Sequence, residues 1–135
     1  VTFVGRETDV DPLLLTGDLR VIEDGVSMVE FVNNTAIVGQ FINETNAVVT
    51  DVELLFNLFN GEDEFLGAAK GPRLSYTPDE IMPGEIVPFS AWSDVRFGEA
   101  VRWEVRVAYR TVRIPGRGIP TSIAAVSWGE LKALP

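Results

Sequence analysis

The chain contains no histidine and no cysteine among its 135 residues. Without cysteine it can form no disulfide, thiolate metal site or thiol nucleophile. Without histidine it lacks the commonest general base near neutral pH. No apolar run approaches the roughly 20 residues that a membrane-spanning helix requires. We therefore expect a protein that is not an enzyme, needs no cofactor or metal, and has no membrane span within this chain.

Basic residues are also scarce, and the charge is unevenly distributed. The net charge is −9; residues 1–70 carry 13 acidic and 3 basic side chains, whereas residues 71–135 carry 7 and 8. Nucleic acids and anionic membranes bind surfaces dense in Lys and Arg, so we expect neither as a partner. The carboxylates at residues 62–64 and 79–80 are interpreted as a solvated surface, because no calcium-loop pattern accompanies them.

What the sequence does contain is a strong alternation of apolar and polar residues. It predicts strands over residues 26–32, 37–42, 48–59, 64–67, 85–92, 101–112 and 122–131. Short turns join most of these strands, and 135 residues is an ordinary length for one domain. The pattern is typical of an all-β, antiparallel immunoglobulin-like β-sandwich of about seven or eight strands.

The predicted strand at residues 48–59 has two distinct faces. Its core face is expected to consist of Val52, Leu54, Phe56 and Leu58. Two apolar residues, Leu55 and Phe59, fall on the opposite face, which suggests that something partly covers that face.

Turn chemistry supports the boundaries of the predicted strands. Asn60-Gly61 fits a type I′ hairpin turn, because both residues tolerate a positive φ. Pro83-Gly84 fits the centre of a type II turn. Pro88 lacks an N–H, so its strand is expected at a sheet edge or at a bulge.

Residues 1–25 differ from the rest and are treated as a separate segment before a sandwich domain at residues 26–135. Acidic residues surround a short Leu13-Leu14-Leu15 run. The segment is either an edge strand or an arm that packs on another subunit. Because the chain starts at Val1, a signal peptide or lipid anchor could have been removed upstream.

Several motifs resemble those of the FxLYD domain family. Phe56-Asn57-Leu58-Phe59-Asn60, followed by Gly61, resembles the Phe-x-Leu-Tyr-Asp motif that names the family. Pro83-Gly84-Glu85 and the later Phe89 resemble its Pro-Gly-Glu and Pro-Phe elements, and the likeness covers about residues 28–110. The resemblance implies an immunoglobulin- or fibronectin-like sandwich from an exported or membrane-anchored bacterial or archaeal protein. It implies no catalytic residues.

Two surface features are candidates for binding. Arg102, Arg106 and Arg110 share one face of a predicted strand, either as a solubilising face or as a docking face for an acidic partner. That partner could be the acidic N-terminal region of a neighbouring copy. The second feature is the set of three tryptophans, Trp92, Trp103 and Trp128. They form either an exposed carbohydrate platform or part of the core, and we expect the core at least for Trp103.

Two sites match the N-glycosylation pattern, at Asn33 and Asn43, and both lie in predicted turns. We interpret these asparagines as turn residues, because Asn is favoured in turns for its own backbone hydrogen bonds.

These observations favour a non-catalytic, extracytoplasmic interaction or assembly module. It would be an accessory or structural subunit of an envelope or membrane-associated complex or of a surface structure. The candidate interaction surface consists of Leu55, Phe59, Arg102, Arg106 and Arg110. The alternative is a module that binds a small ligand or glycan through its tryptophans or through loops at residues 68–80 and 114–121.

Overall fold

The computed structural model describes residues 2–8, 10–72 and 78–115, with the side chains of residues 2–4, 6 and 7 excepted. Eight strands lie within these ranges: β1 Thr2–Thr8, β2 Leu19–Val21, β3 Ser27–Phe31, β4 Asn34–Asn43, β5 Val48–Phe59, β6 Phe65–Gly71, β7 Ile86–Arg96 and β8 Arg102–Arg113. Two short 3-10 helices, Pro12–Leu14 and Glu23–Gly25, flank β2. The predicted strand at residues 122–131, with Trp128, lies outside the described residues.

The strands form one sheet in the order β1-β8-β5-β6-β7-β4-β2, with β3 paired to β4. The sheet folds over at β6 and β7, which share one residue pair, Lys70 with Trp92. One layer therefore contains β1, β8, β5 and β6, and the other contains β7, β4, β2 and β3. All described pairings are antiparallel except that of β1 with β8. The predicted all-β, antiparallel, sandwich-like fold is confirmed.

The core lies between the inner faces of the two layers. On β5, the alternation places Val52, Leu54, Phe56 and Leu58 inward, and all four are buried as predicted. Phe56 lies at the centre, with its ring 5.5 Å from that of Phe89 on β7 and 5.3 Å from that of Trp103 on β8. Aromatic pairs at such distances add to the stability gained from apolar burial.

The N-terminal segment spans both layers. Thr2–Thr8 pairs in parallel with β8 over seven residue pairs, so β1 forms an edge of the sheet on its own chain. The chain then crosses to the other layer, where β2 pairs with β4. Asn46 holds the crossing segment: its side chain accepts from Thr16 N at 3.0 Å and donates to Leu14 O at 2.8 Å.

Asn43, at the end of β4, is fully buried, and each of the two polar atoms of its side chain makes two hydrogen bonds. Its Nδ2 donates to Ala47 O at 2.9 Å and to Ile81 O at 3.0 Å. Its Oδ1 accepts from the Thr45 backbone N at 3.0 Å and from Thr45 Oγ1 at 2.6 Å. With 0% of the residue exposed, its amide is closed to a glycan in the folded chain. Asn33, by contrast, is an exposed turn residue with φ 69°.

Two predicted turns differ from the structure. The β5–β6 connection is not a two-residue turn at Asn60-Gly61, because the positive φ of 63° occurs at Asp63. A wider turn forms instead: Asp63 N donates to Asn60 O, and Asn60 Oδ1 accepts from the N–H groups of Glu62 and Glu64. The turn before β4 consists of Val32 and Asn33, whereas the predicted strands place the connection at residues 33–36.

The structure also tests the predictions made at two prolines, Pro83 and Pro88. The predicted turn at Pro83-Gly84 is correct: Glu85 N donates to Met82 O at 3.0 Å, and Gly84 has φ 82°. Pro88 lies on β7, which is an interior strand of the sheet, opposite Gln40 of β4. It is tolerated there because β6 pairs with β7 only at Trp92, which leaves the other side of Pro88 without a ladder partner among the described strands.

Replacing Asn43 by alanine should destabilise the fold strongly. It would leave the buried N–H of Thr45 without its partner, at about 1–3 kcal/mol for an unsatisfied group. It would also remove one of the two hydrogen bonds to the carbonyl of Ile81, which keeps its bond from Val49 N. We expect Asn43→Ala to lower the free energy of unfolding in urea by about 2–4 kcal/mol. Asn57→Ala is the matched control, since the Asn57 side chain makes no hydrogen bond among the described residues and should change stability by about 0.5 kcal/mol or less. Equal losses in both variants would contradict the assignment.

Candidate interaction surface

The candidate interaction residues on β5 and β8 lie on the outward face of the layer that contains β1, β8, β5 and β6. The register pairs Leu55 with Arg106 and Phe59 with Arg102. Directly opposite residues in an antiparallel ladder point to the same side, with Cβ atoms about 4.5–5.5 Å apart. The structure therefore combines two features that the sequence left separate, the outward apolar residues of β5 and the arginines of β8. We call this surface the outer face.

Arg102 connects the polar and apolar parts of the outer face. Its guanidinium carbon lies 4.2 Å from the centroid of the Phe59 ring, in a cation–π contact. Its Nη1 is 2.6 Å from Glu104 Oε2, and its Nε is 3.1 Å from Asp63 Oδ1. The hydrogen bond to Glu104, followed by that to Asp63, raises the pKa of Arg102 above its ordinary value. Arg102 thus covers one face of Phe59, and its charge is already paired with the carboxylates of Glu104 and Asp63.

Arg106 and Arg110 lie farther along the same face. Arg106 is exposed, and Arg110, which pairs with Thr50, is partly exposed. The β5–β8 register shifts between Thr50 and Glu53, where Asp51 takes φ 54°, so Arg110 lies beyond a bulge. The bulge separates Arg110 from the regular ladder that holds Arg102 and Arg106.

Three exposed apolar residues lie at the end of the sandwich that holds the β5–β6 and β7–β8 connections. Phe65 and Val101 are each 61% exposed, and Phe97 is 42% exposed. The Phe65 ring centroid is 6.0 Å from that of Phe59, and Val101 N donates to Phe59 O at 2.8 Å. We call Phe65, Phe97 and Val101 the apolar end.

The sequence did not identify the apolar end. The sequence predicts a strand that includes Val101, but β8 begins at Arg102, so Val101 lies outside the ladder and is exposed. Phe97 lies in the β7–β8 turn, and its N–H donates to Asn33 O at 2.9 Å. A run of apolar residues near a turn would have been the only available signal, and it does not distinguish a core residue from a surface one.

Most residues that resemble the FxLYD motifs lie in the core or in turns. Phe56 and Leu58 are fully buried, Phe89 is 6% exposed, and Asn60 forms the β5–β6 turn together with Gly61. Glu85 closes the turn at Pro83-Gly84, since its Oε1 accepts from Met82 N at 2.9 Å. Each of these contacts serves folding.

The described tryptophans occupy two different environments. Trp103 is partly buried against the core cluster, in line with its predicted phase on β8. Trp92 is 37% exposed on β7, where it stacks on Phe31 with ring centroids 4.4 Å apart. Only the second is placed to contact a ligand.

Arginines pair with two of the exposed carboxylates, Glu44 and Glu80. Arg20 holds the pKa of Glu44 below its ordinary value through a hydrogen bond of 2.9 Å, and Arg113 does the same for Glu80 at 2.8 Å. A general acid working at neutral pH needs a pKa shifted the other way. Within the described residues, no group of three or more Asp and Glu is arranged to hold a metal ion. No helix in the same ranges is long and apolar enough to cross a bilayer.

Comparisons with known proteins leave the chain without an assigned relative. No protein-family model, curated protein or solved structure matches it. The likeness to FxLYD domains therefore stays a prediction from sequence, and no residue role can be transferred from another protein.

The contact of Arg102 with Phe59 can be tested by NMR. Protons above the face of an aromatic ring are shielded, so the Arg102 Hε resonance should lie upfield of its usual position. Phe59→Leu should move this resonance downfield, because it removes the ring. Phe65→Leu is the control and should leave it nearly unchanged. An Arg102 resonance that does not respond to Phe59→Leu would rule out the contact.

Proposed function

We propose that this chain is a non-catalytic protein-interaction module that docks through its apolar end. It would act outside the cytoplasm as an accessory or structural subunit of an envelope or membrane-associated complex or of a surface structure. The observation that carries the proposal is that three exposed apolar side chains lie at one end of the sandwich, Phe65 at the start of β6 and Phe97 and Val101 on the β7–β8 connection. Single exposed apolar residues are ordinary, whereas grouped ones are typical of interaction sites.

The composition around the apolar end also suits a protein interface. Phe59 and Arg102 lie next to it as a preformed aromatic–arginine pair. Aromatic residues and arginine are enriched in interfaces, and residues that are already fixed lose less conformational entropy on binding. The partner would therefore meet an ordered surface, not one that must first be assembled.

The charge around the apolar end favours a basic partner. Exposed carboxylates lie on the two turns that carry the apolar residues: Glu62, Asp63, Glu64 and Glu99. Arg102 pairs with Asp63 but leaves an excess of negative charge there. A second copy of the chain would bring its own net charge of −9 to the contact, which electrostatic repulsion disfavours. We therefore propose a different protein that presents an apolar side chain surrounded by Lys or Arg.

The extracytoplasmic location is supported by the FxLYD resemblance alone. The non-catalytic assignment has separate support, from the absence of His and Cys and from the lowered pKa values of Glu44 and Glu80. An acidic partner on the arginines of the outer face is less favoured than a basic one, because Arg102 already binds Glu104 and Asp63 within the chain.

Site-specific photocrosslinking in the native host would test the proposal. Benzoylphenylalanine placed at Phe65 or at Val101 should give an adduct with the same basic protein, identified by mass spectrometry. The same probe at Glu53, which is exposed elsewhere on β5, should give none. Because the attraction is between exposed charges, the yield should fall as the salt concentration rises. No specific adduct, or an adduct with a second copy of this chain, would overturn the proposal.

A further inference from the structure

A cleft of about 360 Å³ lies between the tip of the β3–β4 hairpin and strands β6 and β7. Small-molecule sites usually occupy about 300–1,000 Å³, so the cleft is large enough for a small ligand. It is separate from the apolar end, since none of Phe65, Phe97 or Val101 lines it. Its walls combine two aromatic rings with several polar side chains.

The aromatic wall consists of Phe31 and Trp92. Their rings stack with centroids 4.4 Å apart and an interplanar angle of 29°. Phe31 is 47% exposed and Trp92 is 37% exposed, so their contact leaves part of each residue open to solvent. The pair attaches the hairpin to β7 and at the same time presents apolar ring surface to solvent.

The rim of the cleft carries an unfavourable backbone conformation. Val32 takes φ 50° and Asn33 takes φ 69° in the two-residue turn of the hairpin. Glycine and asparagine suit such a turn, whereas a β-branched residue at positive φ is strained. The Val32 side chain is 74% exposed, so the core gains little from it. Residues held in disfavoured conformations cluster at binding sites, which makes this rim a candidate.

Three polar side chains of the cleft are available to a ligand. Lys70, Asn34 and Asp94 line it, and none of them makes a side-chain hydrogen bond or ion pair within the part of the chain that the structure describes. Ser93 differs, because its Oγ donates to Thr35 O at 2.7 Å and accepts from Val95 N at 3.1 Å. The available groups offer donors from Lys70, acceptors from Asp94 and both from Asn34.

We propose that this cleft is a saccharide-binding site. The apolar C–H faces of a sugar ring can lie against Phe31 and Trp92, while neighbouring hydroxyl groups donate to Asp94 and accept from Lys70. A hydroxyl group both donates and accepts hydrogen bonds, so a neutral sugar can satisfy both charges at once. A phosphate group would be repelled by Asp94, and a cationic group by Lys70. The proposal is independent of docking at the apolar end.

Titration of the ¹⁵N-labelled chain with cellobiose, maltose and N,N′-diacetylchitobiose would test the site. At least one of these disaccharides should shift the Trp92 indole resonance and reach saturation at millimolar concentration. Trp92→Ala should abolish binding. Lys70→Gln and Asp94→Asn, which keep the shape of the side chains, should each weaken it by about fivefold or more. Spectra of the unliganded variants would confirm that each is folded.

Phe65→Ala is the matched control, because it removes an exposed aromatic residue that does not line the cleft. It should leave saccharide binding unchanged while it weakens docking at the apolar end. If none of the three disaccharides shifts the indole resonance, or if the backbone amide resonances of the cleft still shift when Trp92→Ala is titrated, the saccharide site is wrong. Either result would leave the proposed protein interaction unaffected.

Discussion

The hydrogen bonds of one buried amide hold three separate segments of this fold together. Asn43 lies where the chain leaves β4 in one layer to enter β5 in the other, and its side chain also binds the carbonyl of Ile81, ahead of β7. Its backbone O accepts from Gly84 N, and its backbone N donates to Glu85 O, both in the following turn. These bonds fix the crossing between layers relative to the start of β7. The packing of Phe56 against Phe89 depends on that alignment, because the two rings come from opposite layers.

Both proposed binding regions lie at the end of the sandwich opposite Asn43, and both depend on the turns there. Three connections meet there, β3–β4, β5–β6 and β7–β8, and backbone hydrogen bonds link the last of them to each of the others. Turns expose side chains that a ladder would bury, so Val101 and Val32 remain accessible, and Phe65 is accessible at the start of β6. Because strands hold the turns, a protein partner or a sugar would bind to groups that are already positioned. Phe65 and Trp92 lie on different strands, so each proposed activity can be removed by itself.

Sequence periodicity predicted the local part of this structure well. The bounds of β5 and its alternating faces follow from the apolar pattern, because side chains in a strand alternate regardless of what the strand pairs with. The turn at Pro83-Gly84 was also predictable, since its chemistry lies within four residues. The β5–β6 turn was not, because Phe59 pairs with Phe65, which leaves five residues between them where Asn60-Gly61 suggested two.

Pairing between distant strands could not be read from the sequence. Nothing in the local pattern indicates that Arg102 lies over Phe59, or that β1 pairs with β8, because register depends on contacts far apart in the chain. That parallel pairing has a mechanical consequence. A force that enters at Thr2 and leaves at Arg113 would load β1 against β8 in shear, so all seven residue pairs would resist it together instead of opening one by one. The N-terminal strand thereby gives the domain a direction along which it withstands tension.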